Sequence, residues 1–284
     1  MVQTSYHLVN AFWVGRIGAD ALAVVSICFP INLLMVSLGS GLSLGGSVLI
    51  AQQHGAGNKA QVNRFAAQSM TTLVILALLL SALGFLAAPR ILHLLGAGDT
   101  IYPSALAYLR ITFIGSVFSF LCMAYQAILR ALGAAKAPLL VVLPSVAVNA
   151  VLDPILIFGW GPVAPQGVEG AAAATVITQA ITACAGILLM LKPRFGLMMS
   201  WRAIYPQWPE LGKILRLGYP AAIEQSMGAL TVTVITVLAA TFGTLALASY
   251  GIVFRIMTFV VIPTYGISMA TSILLGQNLG AGDV

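Results

Sequence analysis

Charge is what this sequence has least of. Only 7% of its 284 residues are Asp, Glu, Lys or Arg, where a soluble domain carries about 25%. Seven acids and 13 basic residues, net +6, are too few to cover a water-facing body of this size. Cysteine is also scarce. Cys28, Cys122 and Cys184 each stand alone in an apolar segment, which excludes a thiolate metal cluster and a disulfide framework and leaves them as expected small core hydrophobes. No stretch interleaves Lys or Arg with aromatics, so nucleic acid is excluded as a partner. The opening MVQTSYHLVNAFWVGR has no basic region ahead of an apolar core and does not read as a cleaved signal. His7, His54 and His93 lie far apart without metal-binding spacing, and there is no DDxxD and no nucleophile with a base. An enzyme is not expected, nor a bound cofactor.

What is present is apolar length: 60% of the residues are hydrophobic. A helix rises about 1.5 Å per residue and the hydrocarbon core is about 30 Å thick, so a span needs roughly 20 mostly apolar residues. The expected fold class is an all-α integral membrane protein with seven full spans, Ala21–Gln53, Phe65–Ala88, Ile101–Leu132, Pro138–Phe158, Val168–Leu191, Gly218–Phe242 and Leu245–Asn278, preceded by a short one at Val2–Val14. With the short segment as span 1, the connections 2–3, 4–5 and 6–7 hold nine cations: Lys59, Arg64, Arg130, Lys136, Lys192, Arg194, Arg202, Lys213 and Arg216. The other connections hold Arg16 and Arg90. Excess Lys and Arg marks the cytoplasmic side, so span 1 enters from the cytoplasm. Arg110 and Arg255 remain inside spans 4 and 8. Residues 192–217, with Trp201, Tyr205 and Trp208, read as an interfacial linker between an N-terminal lobe (1–191) and a second lobe (218–284).

An internal repeat supports that division. Shifting the sequence by 225 positions aligns Gly18–Asn58 with Gly243–Asp283 without a gap, and 16 of the 41 pairs are identical. Among them QQHGAGN faces QNLGAGD. Spans 2 and 8 cross in the same direction, so the repeat is parallel, a transporter architecture. In GSGLSLGG the spacing is wrong for a phosphate loop, and Gly41 with Gly45 forms GxxxG, which predicts close helix packing.

Ionisable groups within spans are expensive and therefore informative. Asp153 lies in span 5 with Asn149 one turn earlier on the same face and Pro154 following, a set able to bind Na⁺ or hold a proton, or else to serve helix packing. Glu224, beside Gln225 in span 7, and Arg255 in span 8 fall at similar depth, where they could form a coupling site or a structural pair.

The segments NAFWVGRIGADALAVVS, LIAQQHGAGN, YLRI, LRALGAAKAPL, NAVLDPILIFGWG, GVEGAAAAT, GIVFRI and GQNLGAGD together resemble the multidrug and toxic compound extrusion (MATE) transporters, in order and spacing along the whole chain. The resemblance implies two six-helix lobes around a central cavity. It also implies export of organic cations or amphipathic drugs in exchange for Na⁺ or H⁺ across the bacterial cytoplasmic (inner) membrane by a monomer. Transferred position by position, the family's first-lobe pocket falls on Asn10, Tyr108, Gln126, Asn149, Asp153 and Thr175, with Na⁺ at Asp153 and Asn149 and with Glu224 as the second-lobe acid. Many members carry Asp where this chain has Asn10, and an amide cannot take up a coupling proton. The family has twelve helices, so the chain is expected to lack part of helix 1 and helices 9–12. A lipid-linked oligosaccharide flippase of similar architecture and a non-transporting fragment are the alternative readings.

Overall fold

The computed structural model describes residues 10, 12–160, 164–197, 205–242 and 244–282. Among the described residues the chain is helical apart from its connections. After a short helical stretch at residues 12–15 (α1), the helices are α2 (Ala19–Gly55), α3 (Lys59–Leu94), α4 (Tyr102–Ala131), α5 (Leu139–Phe158), α6 (Gly167–Met190), a 3₁₀ turn at Pro193–Phe195, α7 (Trp208–Thr241) and α8 (Thr244–Ala281). Most of the span at Val2–Val14 lies outside the described residues.

Five of these, α2 to α6, are long and apolar enough to cross a membrane, yet only 22–44% of each apolar window is buried within the protein. The remaining apolar surface requires lipid, which makes this a multi-pass membrane protein. Several helices outrun the expected spans: α3 has 36 residues, about 54 Å against about 30 Å of hydrocarbon. The N-terminal extension of α3, KAQVNR, is polar, so hydropathy alone does not include it in a span. Asn58 caps α3 by accepting the Gln61 N–H at 3.2 Å. Helix α5 runs unbroken through Pro144 and Pro154.

Helices α1 to α6 pack around two buried apolar clusters, one containing Phe120, Leu109 and Leu73, the other Tyr125, Ile50 and Ile128, and α7 joins them through Ala222 and Ile214. Of the cysteines, Cys28 and Cys122 are buried as expected, but Cys184 is exposed. That corrects the core assignment of all three: Cys184 stands on the face of α6 with Ile177, Ile181 and Leu188, away from the cavity-lining Thr175 and Gln179.

Helix α7 begins ten residues ahead of the expected Gly218. Leu211, Ile214, Gly218 and Ala222 form a buried stripe, while Lys213 and Arg216 face outward. The stripe lies on α2, where the GxxxG expectation holds. A side-chain carbon on Gly41 would collide with the backbone of Ala222, and one on Gly45 would come within 2.5 Å of the Gly218 amide nitrogen. Ser40 Oγ donates to Gln225 Oε1 in the same interface. The cytoplasmic ends of α2 and α8 meet reciprocally: a Cβ on Gly55 would strike the carbonyl of Gln277, and one on Gly280 the carbonyl of Gln52. These pairs exchange under the 225-residue repeat. The outer half of α2 instead exposes Leu22, Phe29 and Leu34, and that of α7 exposes Val234, Leu238 and Phe242. Helix α2 thus meets α7 and α8 at their cytoplasmic halves.

Before α7, the chain is fastened to α3. Gln68, fully buried, donates from Nε2 to the Tyr205 carbonyl (2.8 Å) and accepts from the Gln207 N–H (3.0 Å). Arg64 donates to Gln207 Oε1 (2.5 Å) and pairs with Glu210 (2.9 Å). Tyr205 and Trp208 are exposed, as an interfacial segment requires.

Candidate functional site

A cavity of about 160 Å³ opens within the first lobe. It collects four of the sequence-predicted residues, Asn10, Tyr108, Gln126 and Thr175, from α1, α4 and α6. Asn10 Nδ2 donates to Thr175 Oγ1 at 3.0 Å, and Thr175 Oγ1 donates back to the Ala171 carbonyl at 3.0 Å. The hydroxyl is therefore already committed, and the Asn10 Oδ1 acceptor has no protein partner.

Asn149 and Asp153 stand behind this lining rather than in it. Both are fully buried on the inner stripe of α5 with Val142, Ser145 and Ile157. The one-turn spacing acts as expected: Asn149 Nδ2 donates to Asp153 Oδ1 at 3.1 Å. That single bond leaves Asn149 Oδ1 and Asp153 Oδ2 unpartnered.

A buried polar oxygen without a partner is costly, about 1–3 kcal/mol for a neutral group and more for a carboxylate. Asn10, Asn149 and Asp153 each keep one such oxygen. Acceptors of this kind suit a hard cation or a donated proton. Among the described residues no three His, Cys, Asp or Glu side chains cluster as a transition-metal site would require. The rest of the lining mixes neutral polar groups with Phe29, Met35, Phe113, Phe120 and Met123, and among the described residues contains no Lys or Arg.

Glu224 is not part of this site: it is exposed on α7, outside the cavity lining. The expected contact with Arg255 involves a side chain outside the described residues. Conversely, charge-based reasoning passed over Asn32, Ser119 and Gln179, which line the cavity. Ser119 Oγ donates to Gln179 Oε1 at 2.5 Å, joining α4 to α6. The signal was available as single amides within apolar helices, which must find partners just as charges must.

The chain is similar to two curated proteins over its whole length. One is the probable multidrug resistance protein YoeA of Bacillus subtilis, 31% identical with 100% of this chain covered. The other is an FAD transporter of Shewanella oneidensis, 30% identical with 99% covered. In both cases the chain spans 62% of the relative's own length. A solved multidrug resistance MATE transporter of the MOP superfamily, described in an outward-facing conformation, superposes with a TM-score of 0.89 at 27% identity, covering 99% of this chain and 62% of that one. The MatE family model matches residues 1–155 and 220–284. With that match falling on both copies of the repeat and on α2 and α4, which line much of the cavity, this chain belongs to the MatE family of membrane transporters.

Proposed function

We propose that the protein is a cation-coupled exporter of organic cations or amphipathic drugs, with Na⁺ or H⁺ taken up at Asp153 and its neighbour Asn149. The observation that carries this reading is the buried Asn149–Asp153 pair with one free oxygen on each residue, set behind a cavity lined by aromatics, Met and neutral amides. A carboxylate behind an apolar chamber attracts a cation or a proton, and occupation by one lowers the attraction for the other. Exchange follows if the lobes alternate between opening outward and inward. The junction of α2 with α7 and α8 at their cytoplasmic ends corresponds to the outward-open arrangement.

The FAD transporter among the relatives raises a polyanionic cargo as a second reading. The absence of Lys and Arg from the cavity lining among the described residues supports a cationic or neutral cargo instead. A flippase handling a pyrophosphate-linked glycan would need the same missing cations. The test is efflux of a fluorescent organic cation from vesicles under imposed Na⁺ and proton gradients. Asp153→Asn, which keeps the shape and the bond to Asn149, should abolish gradient-driven exchange. Undiminished exchange in that variant would refute the assignment.

A further inference from the structure

Arg110 is an intramembrane charge that the transport site does not use. It lies two turns inside the outer end of α4, about 12 Å along the helix, and points away from the cavity face of Tyr108 and Thr112. Its guanidinium stacks over the Phe85 ring, 4.8 Å from the centroid. Among the described residues the one ion pair is Arg64–Glu210, so Arg110 has no carboxylate partner, and its Nε is buried without a hydrogen-bond acceptor. A guanidinium at membrane depth, always ionised, requires an anion.

The surface beside it is a groove between α3 and α4 of about 390 Å³, lined by Leu78, Ser81, Ala82, Phe85, Leu86 and Ile114. Ile114 is one turn inward from Arg110 on the same face of α4, so the cation borders the groove through Phe85 and Ile114. Leu78, Leu83 and Leu86 are 55%, 63% and 77% exposed, which places this face against lipid rather than protein. Arg90, exposed one turn beyond Leu86, marks the headgroup level.

We propose that this groove is a binding site for an anionic phospholipid of the outer leaflet, its phosphate on Arg110 and one acyl chain along the α3–α4 groove. The occupant follows from the chemistry: an apolar groove open to lipid, with an unpaired cation stacked on Phe85 of its wall. The site is separate from the transport cavity and does not depend on the cargo or coupling assigned above.

Native mass spectrometry of the purified chain with equal phosphatidylglycerol and phosphatidylcholine tests it. Wild type should retain phosphatidylglycerol preferentially, and Arg110→Gln should lower that preference about fivefold, the weight of one basic residue near anionic lipid. Arg110→Lys should keep most of it. Ala82→Trp, which fills the groove without touching the charge, should reduce retention of both lipids. An Arg110→Gln protein that is folded and keeps the wild-type preference overturns the proposal. If that variant does not fold, unchanged lipid retention in Ala82→Trp overturns it instead.

Discussion

The ion pair that fastens α7 to the first lobe yields a prediction in which removing one charge is worse than removing both. Glu210 is buried, with 8% of its side chain exposed, while Arg64 is 41% exposed. An exposed pair is worth about 0–1 kcal/mol, and orphaning one partner of a fully buried pair costs about 3–5 kcal/mol. The half-screened guanidinium sets the value between these limits. Glu210 also lies in the first turn of α7, where the helix N-terminus partly offsets a lone carboxylate. Arg64→Ala should therefore cost about 2 kcal/mol locally. The loss includes the bond to Gln207, and Glu210 Oε2 already lacks a partner. The double variant Arg64→Ala/Glu210→Ala buries no charge and should recover about half of the loss. Hydrogen exchange by mass spectrometry on the peptide 205–216 is the assay. A 2 kcal/mol loss raises the open population about 30-fold and speeds exchange there in proportion. Protection unchanged in Arg64→Ala, or a double variant as labile as the single, would refute this account of the junction.

Three further outcomes follow from packing and from the cavity. Gly45→Val forces branched carbons against the Gly218 amide and should lower the detergent melting temperature by the equivalent of about 3 kcal/mol, whereas Gly228→Ala, with nothing within 4 Å, should be neutral or slightly stabilising. Gln68→Leu leaves the Tyr205 carbonyl and the Gln207 N–H without partners. It should cost about 2–4 kcal/mol in thermal unfolding and release the linker to proteolysis first. Asn10→Asp replaces the donor to Thr175 by a carboxylate in the cavity wall. Efflux should then depend more steeply on the proton gradient, and equal pH profiles for the two proteins would count against the role given to Asn10.

Sequence reading did well where a short-range rule governs geometry. Asn149 and Asp153 share a face because they are four residues apart, and they bond as that spacing requires. Gly41 and Gly45 pack closely because nothing else lets two backbones approach. Two of the cations assigned to cytoplasmic connections, Arg64 and Lys213, lie at the end where α3 and α7 meet. What was hidden depends on distant partners or on the solvent. No local pattern links Gln68 to a backbone segment well over a hundred positions later, or Ser119 to Gln179. The start of α7 was missed because its stripe of Leu211 and Ile214 is interrupted by charges that disqualify a membrane span but suit an interfacial helix. Glu224 looked internal because a carboxylate within an apolar run normally is, yet it faces outward while its neighbour Gln225 takes the contact with α2.

The repeat gains physical meaning from the structure. A QxxGAG turn in two copies could reflect nothing more than two helix ends, since Gly57 and Gly282 both adopt positive φ, 69° and 77°, as a chain reversal demands. That explains the last glycine but not the first. Gly55 and Gly280 have no such need, being inside their helices. They are small because each receives the backbone carbonyl of the other copy's glutamine, Gln277 and Gln52. The glutamine side chain takes no part in that seating and reaches elsewhere. Gln277 Nε2 donates to the Ala131 carbonyl at the end of α4 at 3.0 Å, tying the second copy to the first lobe. One motif thus stops a helix, seats its counterpart and bridges the lobes at their cytoplasmic face. Because each copy supplies both the seat and the seated group, neither can drift without loosening the other's contact. That coupling is a stronger reason for the two copies to stay alike than shared ancestry, which would permit them to diverge.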